Sequence, residues 1–132
     1  MNKIVEALKT AEVFFVATMD GDQPRVRPFA SVTEYKGQVY LCTNNTKAVY
    51  KELMANPKVE ISGLVAQDTW IRVTGKAVRD DNDEARAAML ADPTGPSQLY
   101  KVGDGIFEVL RLEDAVCTKY SFTSAPEVIS AQ

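Results

Sequence analysis

Cys42-Thr43-Asn44-Asn45-Thr46-Lys47 is the stretch of this chain whose residue types and spacing offer most chemistry. A β-type apolar run, Val39-Tyr40-Leu41-Cys42-Thr43, hands over there to a helix-type run that ends near Ala55. Helix starts favour acids, because their free N–H groups carry partial positive charge. Lys47 puts a cation at that spot instead, and a bound anion would offset the cost. Thr46 adds a hydroxyl, so ammonium, hydroxyl and backbone N–H groups together suit a phosphate. The same residues also fit a plain capped helix with a solvated lysine.

Two strand-spaced pairs add to this set. Arg25 and Arg27 stand two apart and so share a face of a strand. Adjacent guanidiniums repel unless an acid or a phosphate lies between them. Trp70 and Arg72 show the same spacing and can stack on a planar ligand. Both pairs equally fit a solvent-facing or subunit-facing sheet surface. Tyr100 and Tyr120 are candidate proton donors that also fit core or interface positions.

The chain has no histidine. That excludes Ser-His-Asp and Cys-His hydrolases and any His-ligated metal site. Cys42 and Cys117 form no CxxC pair, and with no signal-type N-terminus they read as reduced thiols of a cytoplasmic protein. The net charge is −3, and basic residues are scattered, which argues against a nucleic-acid or membrane partner. A hydrophobic fraction of 45% in 132 residues fits a single domain over 1–132 with its own core.

The elements that hold these groups follow from periodicity. A helix is predicted over 2–11, with Ile4, Val5 and Leu8 on one face. Strands are predicted over 13–18 and 25–32, joined by Asp20-Gly21-Asp22, with an edge or bulge at Pro28. A strand over 39–43 precedes a helix over 47–55 that Asn56-Pro57 ends. Strands over 58–65 and 69–78, the latter broken by Gly75, lead to a helix opening at Asp81-Asn82-Asp83-Glu84. Strands over 107–110 and 116–122 complete the set. Hairpins in series favour an antiparallel sheet, and six or so strands favour a closed or nearly closed barrel.

In order and spacing, four blocks resemble the pyridoxamine 5'-phosphate oxidase-like FMN-binding family. They are Ala17-Thr18-Met19-Asp20-Gly21-Asp22-Gln23-Pro24-Arg25-Val26-Arg27-Pro28, Tyr40-Leu41-Cys42-Thr43-Asn44-Asn45-Thr46-Lys47-Ala48, Asn56-Pro57-Lys58-Val59 and Val73-Thr74-Gly75-Lys76-Ala77. The resemblance spans roughly residues 1–122. It implies a mainly β (α+β) fold: an antiparallel six-stranded split β-barrel of Greek-key type with flanking helices. It also implies a homodimer with FMN at the interface. Carried over by residue, Arg27 with Val26, Pro28 and Phe29 matches the strand along the flavin ring. Cys42, Thr43 and Asn44 match the strand end near the flavin and its ribityl chain. Thr46 and Lys47 match the phosphate-binding turn, with Arg25 in reach of the same phosphate. Trp70 and Arg72 match the neighbourhood of the isoalloxazine.

The implied function is an FMN-dependent oxidoreductase that passes electrons or hydride between a reduced nicotinamide and a small substrate. The alternatives are a non-catalytic flavin carrier or sensor, and a relative that uses another flavin such as F420 or has lost its cofactor. The chain is shorter than pyridoxamine phosphate oxidases and lacks their C-terminal segment for pyridoxal phosphate, so pyridoxamine phosphate is not the expected substrate. Without histidine it is also expected to stand apart from the nitroimidazole-resistance and haem-handling relatives that use one.

Overall fold

Asn2 opens the first helix with its side chain. Its Oδ1 accepts from the N–H groups of Ile4 and Val5 at 2.9 and 3.2 Å, which satisfies two otherwise unpaired donors. The computed structural model describes residues 1–131 and runs from that cap into α1 (Lys3–Ala11). Ile4, Val5 and Leu8 are buried, so the helical stripe packs as predicted. Glu12 leaves the helix at φ 67° and ψ −63°, and the Val13 N–H donates to the Ala11 carbonyl at 2.8 Å. That three-residue turn swings the chain into the sheet.

The strands follow as β1 (Phe14–Asp20), β2 (Gln23–Phe29), β3 (Val32–Tyr35) and β4 (Gln38–Asn44). Then come α2 (Ala48–Ala55), β5 (Lys58–Ala66), β6 (Thr69–Arg79) and α3 (Asp83–Met89). A 3-10 turn at Pro96–Gln98 precedes β7 (Phe107–Ser121) and β8 (Glu127–Ile129). All pairings are antiparallel, in the order β2-β1-β5-β6-β7-β4-β3, with β8 added to β7. The mainly β class with flanking helices is therefore found, and the sheet is consistent with a split barrel.

The strand count differs from prediction: among the described residues the sheet has eight strands, not six, and is open. The predicted strand over 25–32 divides at Ala30-Ser31 into β2 and β3. Among the described residues no ladder joins these two, although they are neighbours in the chain. Pro28 predicts an edge or a bulge, and among the described residues β2 is bonded on one side only, to β1. The segments 107–110 and 116–122 are one long strand. Phe107–Arg111 pairs with β4 and Leu110–Ser121 with β6, so β7 ties the two halves of the sheet together. Three-residue β8 is too short to leave a period in the sequence.

Gly75 does not break β6. It lies where the β6–β7 register shifts between Thr74 and Lys76. A Cβ there would stand 2.9 Å from the Glu113 carbonyl oxygen, so the close backbone approach at this bulge requires glycine. Inside, Ile4, Leu8, Phe14, Ile61, Ile71 and Leu110 form the centre of the main core. A smaller cluster of Tyr40, Ala85, Met89, Phe107 and Val109 seats α3 on the sheet. No helix among the described residues is long and apolar enough to cross a membrane.

Candidate functional site

The end of β2, the end of β4 and the start of α2 meet at a cavity of about 290 Å³. Arg27, Pro28 and Phe29 line it from β2, Cys42 and Thr43 from β4, and Lys47 from the N-cap of α2. Six sequence-predicted residues thus come together. Ser31, Val49, Leu99 and Tyr100 complete the wall, with Gly95 and Pro96 from the loop before β7. No Asp or Glu lines this cavity among the described residues, so its electrostatic character is cationic.

Lys47 is the N-cap residue itself, extended at φ −82° and ψ 151°, one position earlier than a first-turn residue. It makes no side-chain cap bond, which leaves first-turn N–H groups of α2 open to solvent or ligand. Asn44 shapes the turn before it. Its Oδ1 accepts from the Thr46 N–H at 3.0 Å and from the Thr46 hydroxyl at 2.6 Å. Thr46 therefore spends its hydroxyl proton inside the turn. Asn45 pins the turn from the other side, donating to the Gly105 carbonyl at 2.9 Å and to Glu108 at 3.1 Å.

Arg25 and Arg27 do share a face, and each has found an acid. Arg25 pairs with Asp20 at 3.2 Å on the exposed hairpin. Arg27 pairs with Glu52 of α2 at 2.7 Å, with both side chains largely covered (23% and 10% exposed). Arg27 also donates to the Thr18 hydroxyl at 2.7 Å and the Val16 carbonyl at 3.1 Å. The hydroxyl of Thr18 donates to Glu52, and this bond, with Arg27, holds the Glu52 carboxyl below its ordinary pKa. The repulsion inferred from spacing is thus settled by Asp20 and Glu52. No sequence signal marked Glu52, because its partner lies 25 residues away on another element.

Cys42 faces the cavity as a neutral thiol. Burial pushes its pKa up to about 12, against the opposing pull of Lys47 and a hydrogen bond with Ser31. It is no nucleophile at neutral pH.

Trp70 and Arg72 lie elsewhere in this chain. Trp70 stacks on Tyr120 with ring centroids 5.9 Å apart, and Arg72 pairs with Glu60 at 2.7 Å while lying over the same tyrosine. Trp70 borders a separate, largely apolar hollow of about 340 Å³ with Val13, Phe15, Gly63 and Leu64. Phe15 and Leu64 there are 50% and 62% exposed, and Phe122, whose ring packs on Trp70, is 80% exposed. Val26, Asn44, Thr46 and Arg25 are likewise outside the lining of the 290 Å³ cavity. A larger cavity, about 820 Å³, between α1, β3 and the end of α3 holds none of the predicted site residues, and touches the first at Ser31, Gly95 and Pro96.

The family model for pyridoxamine 5'-phosphate oxidase matches residues 1–111. No curated protein matches the chain. Among solved structures the chain is similar to a NimC/NimA family protein from Clostridium acetobutylicum. Identity is 42%, coverage is 96% of this chain and 91% of that one, and the TM-score is 0.89. A pyridoxamine 5'-phosphate oxidase-related, FMN-binding protein from Nostoc punctiforme is 15% identical, with 97% and 95% covered and a TM-score of 0.71. A heme-binding protein from Mycobacterium smegmatis is 19% identical, with 95% of this chain and 58% of that one covered and a TM-score of 0.71. These last two share the fold. The NimC/NimA likeness removes the ground for setting the chain apart from Nim-type relatives on its lack of histidine.

Proposed function

The chain belongs to the pyridoxamine 5'-phosphate oxidase family, and we propose that within it this protein is an FMN-binding oxidoreductase that works as a homodimer. The observation that carries the reading is the cavity where β2, β4 and α2 meet, which offers Lys47 and the uncapped helix start but no carboxylate. An FMN phosphate is a dianion, and helix N–H groups beside an ammonium suit it. On this reading Lys47 and the start of α2 would hold the headgroup. Arg27 and Arg25 already hold acids, and of the two only Arg27 belongs to the cavity wall.

The β2 segment Arg27-Pro28-Phe29 and the end of β4 line the same cavity and would flank the flat ring. Bound FMN would supply the hydride or electron chemistry, between a reduced nicotinamide and a small substrate. The chain's own residues bind, orient and exclude water. Pro28 and Phe29 offer apolar surface, and Cys42 contributes a thiol that stays protonated and leaves the site without a second anion. Phe15, Leu64, Trp70 and Phe122 supply an apolar surface that a second copy would cover. Arg72 lies beside that surface, and on this reading Trp70 and Arg72 would serve the partner's site rather than their own.

The test is the absorption spectrum of the purified protein, before and after NADH or NADPH. Flavin bands that bleach at a useful rate are expected. Bands that persist would favour a carrier or sensor. Colourless protein that takes up no added FMN would overturn the assignment.

A further inference from the structure

Resting on that reading, we infer that Tyr100 donates its phenolic O–H to the same anionic headgroup that Lys47 holds. The amide of Asn44 has a fixed orientation. The Thr46 backbone N–H can only donate, so the Asn44 atom facing it at 3.0 Å is the oxygen. The amide nitrogen therefore faces the other way and donates to the Tyr100 oxygen at 2.6 Å. Tyr100 is an acceptor in that bond, and its own proton must point elsewhere. Among the described residues no acceptor takes it.

The hydroxyl is held in place. The Tyr100 ring stacks on Phe107 with centroids 5.1 Å apart and planes 28° apart, and the residue is half-buried. Tyr100 and Lys47 line the same cavity, where no carboxylate supplies an acceptor. A ligand that fits must bring acceptors of its own. A phosphate does so in several directions at once. Asn44 links the two donors: one end of its amide shapes the Thr46-Lys47 turn and the other end holds Tyr100. The phenol is therefore one hydrogen bond away from the group that organises the phosphate turn, which favours the headgroup over the ring as its acceptor.

Affinities of wild type and Tyr100→Phe for FMN and for riboflavin, which lacks the phosphate, test the inference. Tyr100→Phe keeps the ring stack and removes only the hydroxyl. FMN binding should weaken by about tenfold or more, the size of a hydrogen bond to a charged group, while riboflavin binding stays unchanged. Equal losses for both ligands, or no loss for FMN, would overturn it. Should the variant not fold, wild type labelled with 3-fluorotyrosine gives a second measurement. The Tyr100 fluorine resonance should shift on adding FMN and not riboflavin, and a resonance indifferent to FMN would overturn the inference. A wild type that binds neither flavin would instead fail the functional reading beneath it.

Discussion

Arg27 on β2 and Glu52 on α2 form an ion pair 2.7 Å long that ties the wall of the cavity to the helix opening beside it. The pair decides how charge is distributed at the site. Its carboxylate cancels the cation that lies nearest the strand, and leaves Lys47 as the cation facing the cavity without a countercharge in the lining. Thr18 completes the arrangement by bonding to both partners.

Glu52→Gln should therefore have two opposite effects. The amide keeps an acceptor for Thr18 and Arg27 but loses the charge, so stability should fall by about 1 kcal/mol. The Arg27 charge, no longer cancelled, should then tighten FMN binding. Chemical denaturation and FMN titration of the same variant check both signs.

A change on the apolar outer face should dissociate the protein without unfolding it. Leu64 is 62% exposed beside Phe15 and Trp70, so a charge placed there meets water in the free subunit. Leu64→Glu should convert a dimer to a monomer in analytical ultracentrifugation, with an unchanged far-UV circular dichroism spectrum. A wild type that sediments as a monomer at micromolar concentration would remove the basis for an intersubunit flavin site.

Acid should weaken the fold through Glu108. Burial alone would raise the pKa of this carboxyl, but hydrogen bonds from Asn45, Arg79 and Arg86 outweigh that and hold it below its ordinary value. The folded pKa thus lies below the unfolded one, near 4.3 for an ordinary Glu, roughly. The stability it contributes is present above about pH 4.3 and is lost as pH falls through the folded value. Glu52 carries the same sign. The melting temperature of the wild type should drop on acidification below about pH 4.3, and Glu108→Gln, already less stable at neutral pH, should show a shallower drop.

Much of the architecture could be read in advance, where local chemistry dictates it. The α1 stripe, the Gly21 hairpin and the stop at Asn56-Pro57 all follow from neighbours in sequence. What escaped prediction depends on distant partners. The break at Ala30-Ser31 occurs because β2 and β3 join opposite ends of the sheet, β2 pairing with β1 and β3 with β4. The fusion of 107–121 into one strand depends on β4 and β6 holding it from two sides.

The site divides along the same line. Arg27, Cys42 and Lys47 converge on one cavity, as the family resemblance implies. Glu52 and Glu108 left no trace in the sequence, since each is tied to its arginines only by the fold. By residue type Thr46 suits a phosphate, yet its hydroxyl proton goes to Asn44 two residues before it.

The most direct measurement is the FMN affinity of Lys47→Ala against that of wild type. Losing a charge-assisted contact with the phosphate should weaken binding by about 1.5–3 kcal/mol, roughly 10- to 150-fold. An FMN affinity equal to that of wild type would contradict the placement of the headgroup at the start of α2.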